Sequence, residues 1–554
     1  MLSVHTGLIV LLLVLLVGCG GGGGGSSDPV QAGDTAPSSN QPEPEDIQLL
    51  DSSPAAGAAA VDADISAMNF SHLAHTDLSI SLSGDCPGFS GSSLRRSLVD
   101  VSGSEFEELV DHHVNCSPAE NTSYLIIADG TRSNDERFRA SLAFSTGNRS
   151  GAAITVQDSV TTPRETINEL FGDYIEGALL SDWEVPGLVG ALIIDLITDL
   201  AADNWEKLIE PDALYDVVAE RVTYHSRTPS GEPSDNLSGL VARPLIDSNF
   251  VPRDRFIILG HATGSTPGDL NTADAWFILA NLFAARGYLV VAADNYGRGA
   301  TSEAEETYLM ANQTAHNTLD LVRQVLDDTE FTAVYSGREA AVIGYSQGGH
   351  TAMAVWLMEK LQGFDDLDIS RVYAGGAPHN LFETVRGVLS HLDDSCESAY
   401  CEYVDEDTTV PFATDRILPA LLSYTDTELT VDDLVIDDQL TATFISGFLS
   451  NDAKYDTLKA LLQLNSFTGI NNIDVLSGSN TEINLYHSNY DRLVPVANTN
   501  ELFALLDAGF TVDYHQSRCN SEGYETIFNT TDRVGLVHTL CGLSVLNDVM
   551  EDLQ

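Results

Sequence analysis

Short apolar strands alternate with helical patterns over residues 255–361, and this alternation constrains the fold more than any other feature of the sequence. Apolar runs of strand length lie at 255–260, 288–293 and 340–344. Strands that are apolar throughout belong to a sheet buried on both faces, and intervening helices make parallel pairing the expected arrangement. The sequence therefore predicts the α/β fold class, with a mostly parallel sheet and helices on both faces.

The last of these strands ends in Gly-Tyr-Ser-Gln-Gly at 344–348, and a helical pattern follows at 351–361. In this strand–turn–helix context the serine of G-x-S-x-G is a nucleophile, held in a strained turn whose flanking residues must be small. The N-terminus of the following helix favours negative charge that develops at the serine. We therefore predict that Ser346 is the nucleophile and that the backbone N–H of Gln347 stabilises the oxyanion.

A serine hydroxyl needs a base to take its proton, and the base needs a carboxylate to orient it. Where the serine lies in this motif, the acid and the histidine follow it in that order. Asp491 follows a predicted strand and is the expected acid, with Asp513 and Glu482 as alternatives. Two histidines follow Asp491. His538 is the expected base because it lies in a predicted loop before the last helix, which is expected near 540–553, whereas His515 lies in a strand of alternating polarity.

Three segments resemble the α/β-hydrolase superfamily, and the resemblance extends over about 217–554. They are the serine motif with its following glycine, Gly-Tyr-Leu-Val-Val-Ala-Ala-Asp at 287–294, and Ala-Gly-Gly-Ala-Pro at 374–378. Within the superfamily they look most like the secretory lipase group of fungi and bacteria. The resemblance implies an α/β-hydrolase fold and ester hydrolysis through an acyl-enzyme, with no cofactor.

The same resemblance implies two further parts of the site. Gly-His-Ala-Thr-Gly at 260–264 is similar to the oxyanion loop of lipases, so the N–H of Thr263 is the expected second donor and that of Ala262 the alternative. The secretory lipase group carries a helical cap between the sixth and seventh strands, and 379–480 is the matching interval here, with helical patterns at 417–422, 440–449 and 455–464. We expect this cap to cover Ser346 and to form an apolar acyl pocket that favours medium-length chains.

Three classes of function are compatible with these residues. The leading one is a serine carboxylic-ester hydrolase, a carboxylesterase or lipase, that acts on a small-molecule or lipid ester. A serine peptidase or acyltransferase is the first alternative, because the fold does not fix the acyl acceptor. A catalytically idle surface-binding module is the second, and the complete set of triad residue types favours an enzyme instead.

The first sixty residues predict export and lipid anchoring. An apolar run at 8–17 leads into Gly18-Cys19, which resembles a bacterial lipobox. The resemblance implies that a signal peptide at 1–18 is removed and that Cys19 is acylated. Residues 19–60 are rich in Gly, Ser, Pro and acidic residues and are expected to form a flexible tether. The expected location is the bacterial cell envelope, lipid-anchored at the outer membrane on its periplasmic or surface face.

Cysteine usage is consistent with export. Apart from Cys19 there are six cysteines in three sequence-local pairs, which predict disulfides rather than thiols in an exported chain. No pair has the spacing of a zinc site, and we expect no metal. The predicted bridges are Cys86–Cys116, Cys396–Cys401 and Cys519–Cys541.

The charge excludes one class of partner. The chain has 26 basic and 82 acidic side chains, for a net charge of −56. Such a field repels phosphate backbones, so we expect no binding to nucleic acid. The negative charge is compatible with a salt-rich medium, where screening relieves the repulsion between like charges. It is equally compatible with the ordinary soluble surface of a protein outside the cytoplasm.

The sequence between the tether and the hydrolase-like part predicts little about function. Strand-like runs lie at 124–128, 141–144 and 152–156, and a packed helix is expected over 188–200. We divide the chain into an N-terminal accessory region of unknown role at 61–211 and a hydrolase domain at 212–554. The accessory region is either a β-rich module or an elaboration of the hydrolase.

Overall fold

The computed structural model describes residues 43–75, 79–101, 106–132, 134–151, 153–174, 205–209, 212–248, 250–364, 366–402, 404–425, 427–476, 479–530 and 534–553. The predicted signal peptide, Cys19, most of the predicted tether and the helix expected over 188–200 lie outside the described residues. Residues 44–554 form one compact unit. No helix in the described part of the chain is both long and apolar enough to cross a membrane.

The described residues contain strands and helices with the following bounds. The strands are β1 (Glu45–Asp46), β2 (Leu49–Ser53), β3 (Ala67–Ala74), β4 (Ser79–Gly84), β5 (Ser90–Ser97), β6 (Glu108–Asn115), β7 (Ser123–Thr131), β8 (Arg137–Ser145), β9 (Thr155–Thr162), β10 (Val217–Arg227), β11 (Pro233–Pro244), β12 (Arg253–Gly260), β13 (Val290–Ala293), β14 (Tyr335–Tyr345), β15 (Asp368–Gly375), β16 (Val435–Ile436), β17 (Gln439–Leu440), β18 (Glu482–Tyr486) and β19 (Thr511–Tyr514). The α-helices are α1 (Arg164–Tyr174), α2 (Glu206–Ile209), α3 (Ala275–Ala285), α4 (Ala311–Asp327), α5 (Gln347–Gln362), α6 (Leu381–Leu392), α7 (Thr409–Phe412), α8 (Leu418–Ser423), α9 (Val431–Leu434), α10 (Ala442–Leu449), α11 (Asp456–Leu464), α12 (Ala497–Leu506), α13 (Glu522–Thr530) and α14 (Val534–Asp552).

A nine-stranded sheet forms the centre of the structure, with the strand order β19-β18-β15-β14-β12-β13-β11-β10-β9. From β13 to β19 in this order, neighbouring strands pair in parallel, whereas β11, β10 and β9 continue the sheet in antiparallel pairs. Helices α3 and α14 pack on one face and helices α4, α5 and α12 on the other. This is the α/β-hydrolase fold, and the predicted mostly parallel sheet with helices on both faces is confirmed.

Local sequence explains how these elements begin and end. The side chain of Asp274 accepts hydrogen bonds from the N–H groups of Trp276 and Phe277, and thereby caps the start of α3. Ten of the eleven residues of this helix are buried, as expected for a helix without a polar face. Gly287 follows it with φ of +101°, a conformation that ends a helix at little cost only in glycine.

The N-terminal region contains a β-sandwich that was expected only as strand-like runs. Two four-stranded sheets have the orders β1-β8-β7-β4 and β2-β3-β6-β5. The two sheets share one apolar core and enclose the Cys86–Cys116 disulfide. Members of this core include Met68, Phe70, Val114, Ile126 and Leu142.

Two predicted boundaries are wrong. Strand β2 lies within the predicted tether at 19–60, because its backbone pairs with β3 even though the surrounding composition resembles a linker. Strand β9 lies within the predicted accessory region at 61–211, yet it pairs with β10 and forms the edge of the hydrolase sheet. The side chains of β9 are almost all exposed, so its sequence carries little of the apolar pattern that marks the inner strands.

Buried polar side chains join the sandwich to the hydrolase. Nε2–H of His316 in α4 donates to Asn69 Oδ1 of β3 at 2.8 Å, and both side chains are fully buried. Arg227 at the end of β10 donates to the carbonyl of Ala67 at 2.5 Å. Buried groups of this kind require their partners, because an unpaired one costs about 1–3 kcal/mol. These buried hydrogen bonds therefore fix the position of the sandwich on the sheet domain.

The chain between β15 and β18 forms a separate helical layer, as predicted for the cap. It contains α6 to α11, and the helices expected at 417–422, 440–449 and 455–464 begin and end within two residues of α8, α10 and α11. Its apolar side chains form their own core, which also includes Tyr308 and Leu309 from the sheet domain. The cap therefore rests on the loop that follows β13.

Candidate active site

Ser346 occupies a strained turn between β14 and α5. Its φ is +57° and its ψ is −124°, a backbone conformation that residues other than glycine rarely adopt. A Cβ on Gly344 would lie 1.9 Å from the carbonyl oxygen of Gly348, and one on Gly348 would lie 2.1 Å from that of Gly260. Both motif positions must therefore be glycine for β14, α5 and the end of β12 to approach this closely.

Asp491 and His538 lie together in the fold. Nδ1–H of His538 donates to Asp491 Oδ2 at 2.6 Å, and both side chains are buried. The other carboxylate oxygen accepts from the backbone N–H groups of Leu493 at 2.8 Å and Val494 at 3.0 Å. Because Nδ1 carries the proton, Nε2 holds a lone pair, and Nε2 has no hydrogen-bond partner among the described residues.

A second histidine supports the same carboxylate. Nε2 of His487 lies 3.4 Å from Asp491 Oδ2 and 2.9 Å from the carbonyl oxygen of Val494. Its Nδ1 hydrogen-bonds to Thr499 Oγ1 at 2.7 Å. Burial by itself would raise the pKa of Asp491, but the adjacent imidazoles and the hydrogen bonds from His538 and His487 outweigh it and hold that pKa well below its usual range. The carboxylate is therefore ionised at neutral pH.

The predicted location of His538 in a loop is wrong. It lies in the second turn of α14, which begins at Val534 instead of near residue 540. One face of α14 carries Val534, Val537 and Cys541 at helical spacing. The apolar helical pattern therefore starts upstream of the segment in which the last helix was expected to begin. A rigid helix, rather than a loop, therefore holds the imidazole.

The alternative acids and base have other contacts. His515 follows β19, stacks on Tyr486 with ring centroids 4.5 Å apart and hydrogen-bonds to Asn484 at 2.8 Å. Glu482 begins β18 and pairs with an arginine of the neighbouring strand at 3.5 Å. Asp513 is an exposed residue of β19. The contact between Asp491 and His538 favours these two over the alternatives.

The predicted oxyanion residues flank Ser346. Gln347 is the first residue of α5, so its backbone N–H belongs to the helix end that has no intrahelical acceptor. Ala262 and Thr263 line the same cavity as Ser346 and His538. Within the described ranges, the backbone N–H groups of Gln347 and Thr263 donate to no acceptor. The hydroxyls of Thr263 and Tyr308 lie 2.9 Å apart, which fixes the Thr263 side chain.

Glu306, which the sequence did not predict, links Gln347 to the cap. Gln347 Nε2 donates to Glu306 Oε1 at 2.9 Å, while Arg298 and Arg416 donate to Oε2 at 3.2 and 3.1 Å. Arg416 belongs to the cap turn between α7 and α8, and its guanidinium lies 5.7 Å from the centre of the Tyr308 ring. No local motif marks Glu306 among 82 acidic residues, so the sequence contained no signal for it.

Two cavities meet at Ser346. The larger has a volume of about 490 Å³ and also borders His538 and Thr263. The smaller has a volume of about 40 Å³ and lies under the cap. Phe412 of α7 and Leu493, which follows Asp491, line both cavities and separate them.

The structure forms all three predicted disulfides, Cys86–Cys116, Cys396–Cys401 and Cys519–Cys541. The last one supports the site, because Cys541 lies one helical turn after His538 in α14. The carbonyl oxygen of Cys519 accepts a hydrogen bond from Ser488, three residues before Asp491, at 2.7 Å. This disulfide therefore connects the helix of the histidine to the loop of the acid.

Residues 265–398 match the model of the secretory lipase family. This match includes Ser346 and supports a hydrolase that acts on esters. No curated protein sequence gives a significant match.

Among solved structures, the chain is similar to the rice cell wall degrading esterase LipA from Xanthomonas oryzae, with 18% identity over 72% of this chain and 97% of that chain and a TM-score of 0.48. It is also similar to a protein from Legionella pneumophila whose name calls it a hydrolase, with 17% identity over 72% of this chain and 97% of that chain and a TM-score of 0.44.

Replacing the Glu306 carboxylate should reduce ester turnover without unfolding the protein. Glu306→Gln keeps the side-chain size but loses the charge-assisted bonds to Arg298 and Arg416, each of which is worth about 1.5–3 kcal/mol. We expect kcat on a soluble ester to fall about tenfold, which corresponds to about 1.4 kcal/mol of lost transition-state stabilisation, while KM changes less than twofold. The matched control is Glu305→Gln, the adjacent carboxylate, which should leave both constants near wild type. Equal effects of the two substitutions, or a KM effect alone, would show that Glu306 does not position the oxyanion residues.

Removing the Cys519–Cys541 disulfide should affect both stability and activity. Cys519→Ala with Cys541→Ala should lower the free energy of unfolding by about 3 kcal/mol, because the closed loop of 22 residues is released in the unfolded state. We also expect ester turnover to fall at a temperature where the variant is folded, since α14 loses its connection to the acid loop. The control is removal of Cys396–Cys401 in the cap, which should cost about 2 kcal/mol by the same relation and leave turnover within twofold. Unchanged turnover in the first variant would contradict a supporting role.

Proposed function

We propose that the chain is a serine carboxylic-ester hydrolase with Ser346 as nucleophile, His538 as general base and Asp491 as the orienting acid. The observation that carries the proposal is the pairing of Asp491 with Nδ1 of His538 beside a cavity that also contains the strained Ser346. The match to the secretory lipase family supports the same reading.

The proposed reaction follows from these positions. Ser346 Oγ bonds to the ester carbonyl carbon while its proton passes to Nε2 of His538, and Asp491 stays ionised and stabilises the imidazolium. The carbonyl oxygen becomes an oxyanion, for which the backbone N–H groups of Gln347 and Thr263 are the proposed donors. In such sites each donor is worth about 3 kcal/mol.

The intermediate then collapses. The bond to the alcohol oxygen breaks, and that oxygen takes the proton from Nε2 of His538 and leaves as the alcohol. Water repeats the sequence on the acyl-enzyme: Nε2 takes its proton, the acid is released, and Ser346 regains its hydrogen. Only an acyl group and protons move, so the mechanism calls for no cofactor.

We expect Ser346→Ala, His538→Ala and Asp491→Asn to abolish most hydrolysis of a p-nitrophenyl ester. Loss of a triad serine or histidine costs on the order of 10⁶ in kcat in a measured serine protease, and the acid mutation about 10⁴. A fluorophosphonate probe should label the wild type at Ser346 and leave Ser346→Ala unlabelled.

The controls are the alternative residues themselves, His515→Ala and Asp513→Asn, which should retain activity within about threefold. Hydrolysis by Ser346→Ala within tenfold of wild type would refute the assignment. The matched p-nitroanilide should be turned over far more slowly than the ester. A faster amide reaction would identify a peptidase instead.

We further propose that the mature protein begins at Cys19 and is held by lipid at the bacterial cell envelope. The lipobox-like run supports acylation of Cys19. The disulfides in the described residues support folding in an oxidising compartment, because such bonds rarely persist in the cytosol.

A Cys19→Ser variant tests the anchor. In bacterial cells fed a clickable palmitate analogue, the wild type should carry the label and sediment with membranes, whereas Cys19→Ser should carry none. Cys401→Ser, which leaves the N-terminal segment intact, is the control and should keep the label. Label on Cys19→Ser, or none on the wild type, would contradict lipid anchoring.

A further inference from the structure

The two cavities that meet at Ser346 differ in size and in walls, and the proposed chemistry assigns a different half of the ester to each. The larger cavity has a volume of about 490 Å³ and the smaller one about 40 Å³. A substrate bound across Ser346 must place its acyl part in one and its alcohol part in the other.

The position of His538 decides which part goes where. Nε2 of His538 must reach both the Ser346 hydroxyl and the leaving oxygen, so the alcohol lies on the histidine side of the reacting carbon. The oxyanion points to the donors at Thr263 and Gln347. His538 and Thr263 border the larger cavity and not the smaller one. The alcohol therefore occupies the larger cavity, and the acyl group extends away from His538 into the smaller one.

The smaller cavity limits the acyl group. At about 40 Å³ against about 490 Å³, it has room for a much shorter group than the larger cavity. Its walls are apolar and come largely from the cap, including Val385, Val388 and Ile417. This size fits an acetyl to butyryl chain and differs from the expected tunnel for medium chains. The physical reason is that the cap uses most of its Leu, Ile and Phe side chains for its own core.

The larger cavity is suited to a bulky alcohol with an apolar ring. Its aromatic lining includes Phe171 and Tyr174 of α1 and Trp276 of α3, next to Leu543 and Leu546 of α14. Aromatic and leucine walls stabilise rings by burial and by offset or edge-on packing. Helix α1 follows the edge strand β9, so a part of the chain that was predicted to be accessory contributes to this wall.

We propose that the protein hydrolyses esters of short acids, of two to four carbons, with bulky ring-bearing alcohols. The proposal rests on the proposed function of Ser346 and His538. The acyl limit is set by the cap at Val388 and Ile417, and alcohol selectivity is set by α1, α3 and α14.

Two substrate series test the proposal on the full mature chain. With p-nitrophenol as the constant leaving group, kcat/KM for the butyrate should exceed that for the octanoate at least tenfold, both below their aggregation concentrations. With acetate as the constant acid, 2-naphthylmethyl acetate should exceed ethyl acetate at least tenfold, since the two alcohols are of similar basicity. A preference for octanoate, or equal rates on the two acetates, would overturn the assignment of the cavities.

Two variants locate the acyl limit. Val388→Ala enlarges the small cavity and should raise the ratio of octanoate to butyrate turnover at least fivefold. Leu546→Ala, an equally apolar truncation in the large cavity, should leave that ratio within twofold and change the ratio of the two acetates instead. These ratios are independent of the folded fraction of each variant. The reverse pattern would place the acyl chain in the large cavity.

Failure of the proposed function would give a different experimental result from failure of the cavity assignment. In that case the wild type would turn over no ester of either series, and fluorophosphonate would not label Ser346. Labelling and turnover with the wrong selectivity would reject only the substrate class.

Discussion

The close approach of three backbone segments around Ser346 is the constraint on which the rest of the site depends. The ends of β12 and β14 and the start of α5 touch through Gly260, Gly344 and Gly348, with no room for a Cβ on either motif glycine. This contact forces Ser346 into a positive φ and directs the free end of α5 at the cavity. The loop after β12, with Thr263, is brought beside the same turn. The positions of the proposed nucleophile and of the proposed oxyanion donors therefore follow from one packing contact.

Charge pairing fixes the parts that this contact does not reach. In a chain with a net charge of −56, most carboxylates face solvent, yet the two at the site are enclosed by cationic or hydrogen-bonding side chains. Asp491 lies between two imidazoles and two backbone N–H groups, and Glu306 lies between two guanidinium groups and an amide. Since Arg416 belongs to the cap, the Glu306 carboxylate also links the cap to the residues around Ser346. Two of the 26 lysine and arginine residues of the chain, Arg298 and Arg416, serve this purpose.

The sequence predicted what depends on local pattern. Apolar strands, the G-x-S-x-G turn, the cap helices and the cysteine pairs each follow from residues close together in the chain. The predictions failed where pairing between distant strands determines the structure. Strand β2 pairs within the sandwich despite its linker-like composition, and β9 pairs with the main sheet although its side chains are exposed. The sequence placed His538 in a loop before the last helix, whereas α14 already begins at Val534. Glu306 acts through contacts with Gln347 and Arg416, 41 and 110 residues further along the chain, and a single sequence contains no trace of such contacts.

In the proposed mechanism, the two cavities separate the acyl and alcohol halves of an ester in space, and they therefore also separate the two half-reactions in time. After the alcohol departs, the acyl group stays on Ser346 under the cap, while the cavity that borders His538 is open to the next nucleophile. Water and a second alcohol then compete for the same volume next to the same base. Under this proposal, occupancy of the larger cavity governs the partition between hydrolysis and acyl transfer, because the proposed base, His538, serves both nucleophiles. A wall that binds ring-bearing alcohols well shifts that partition towards transfer as the alcohol accumulates.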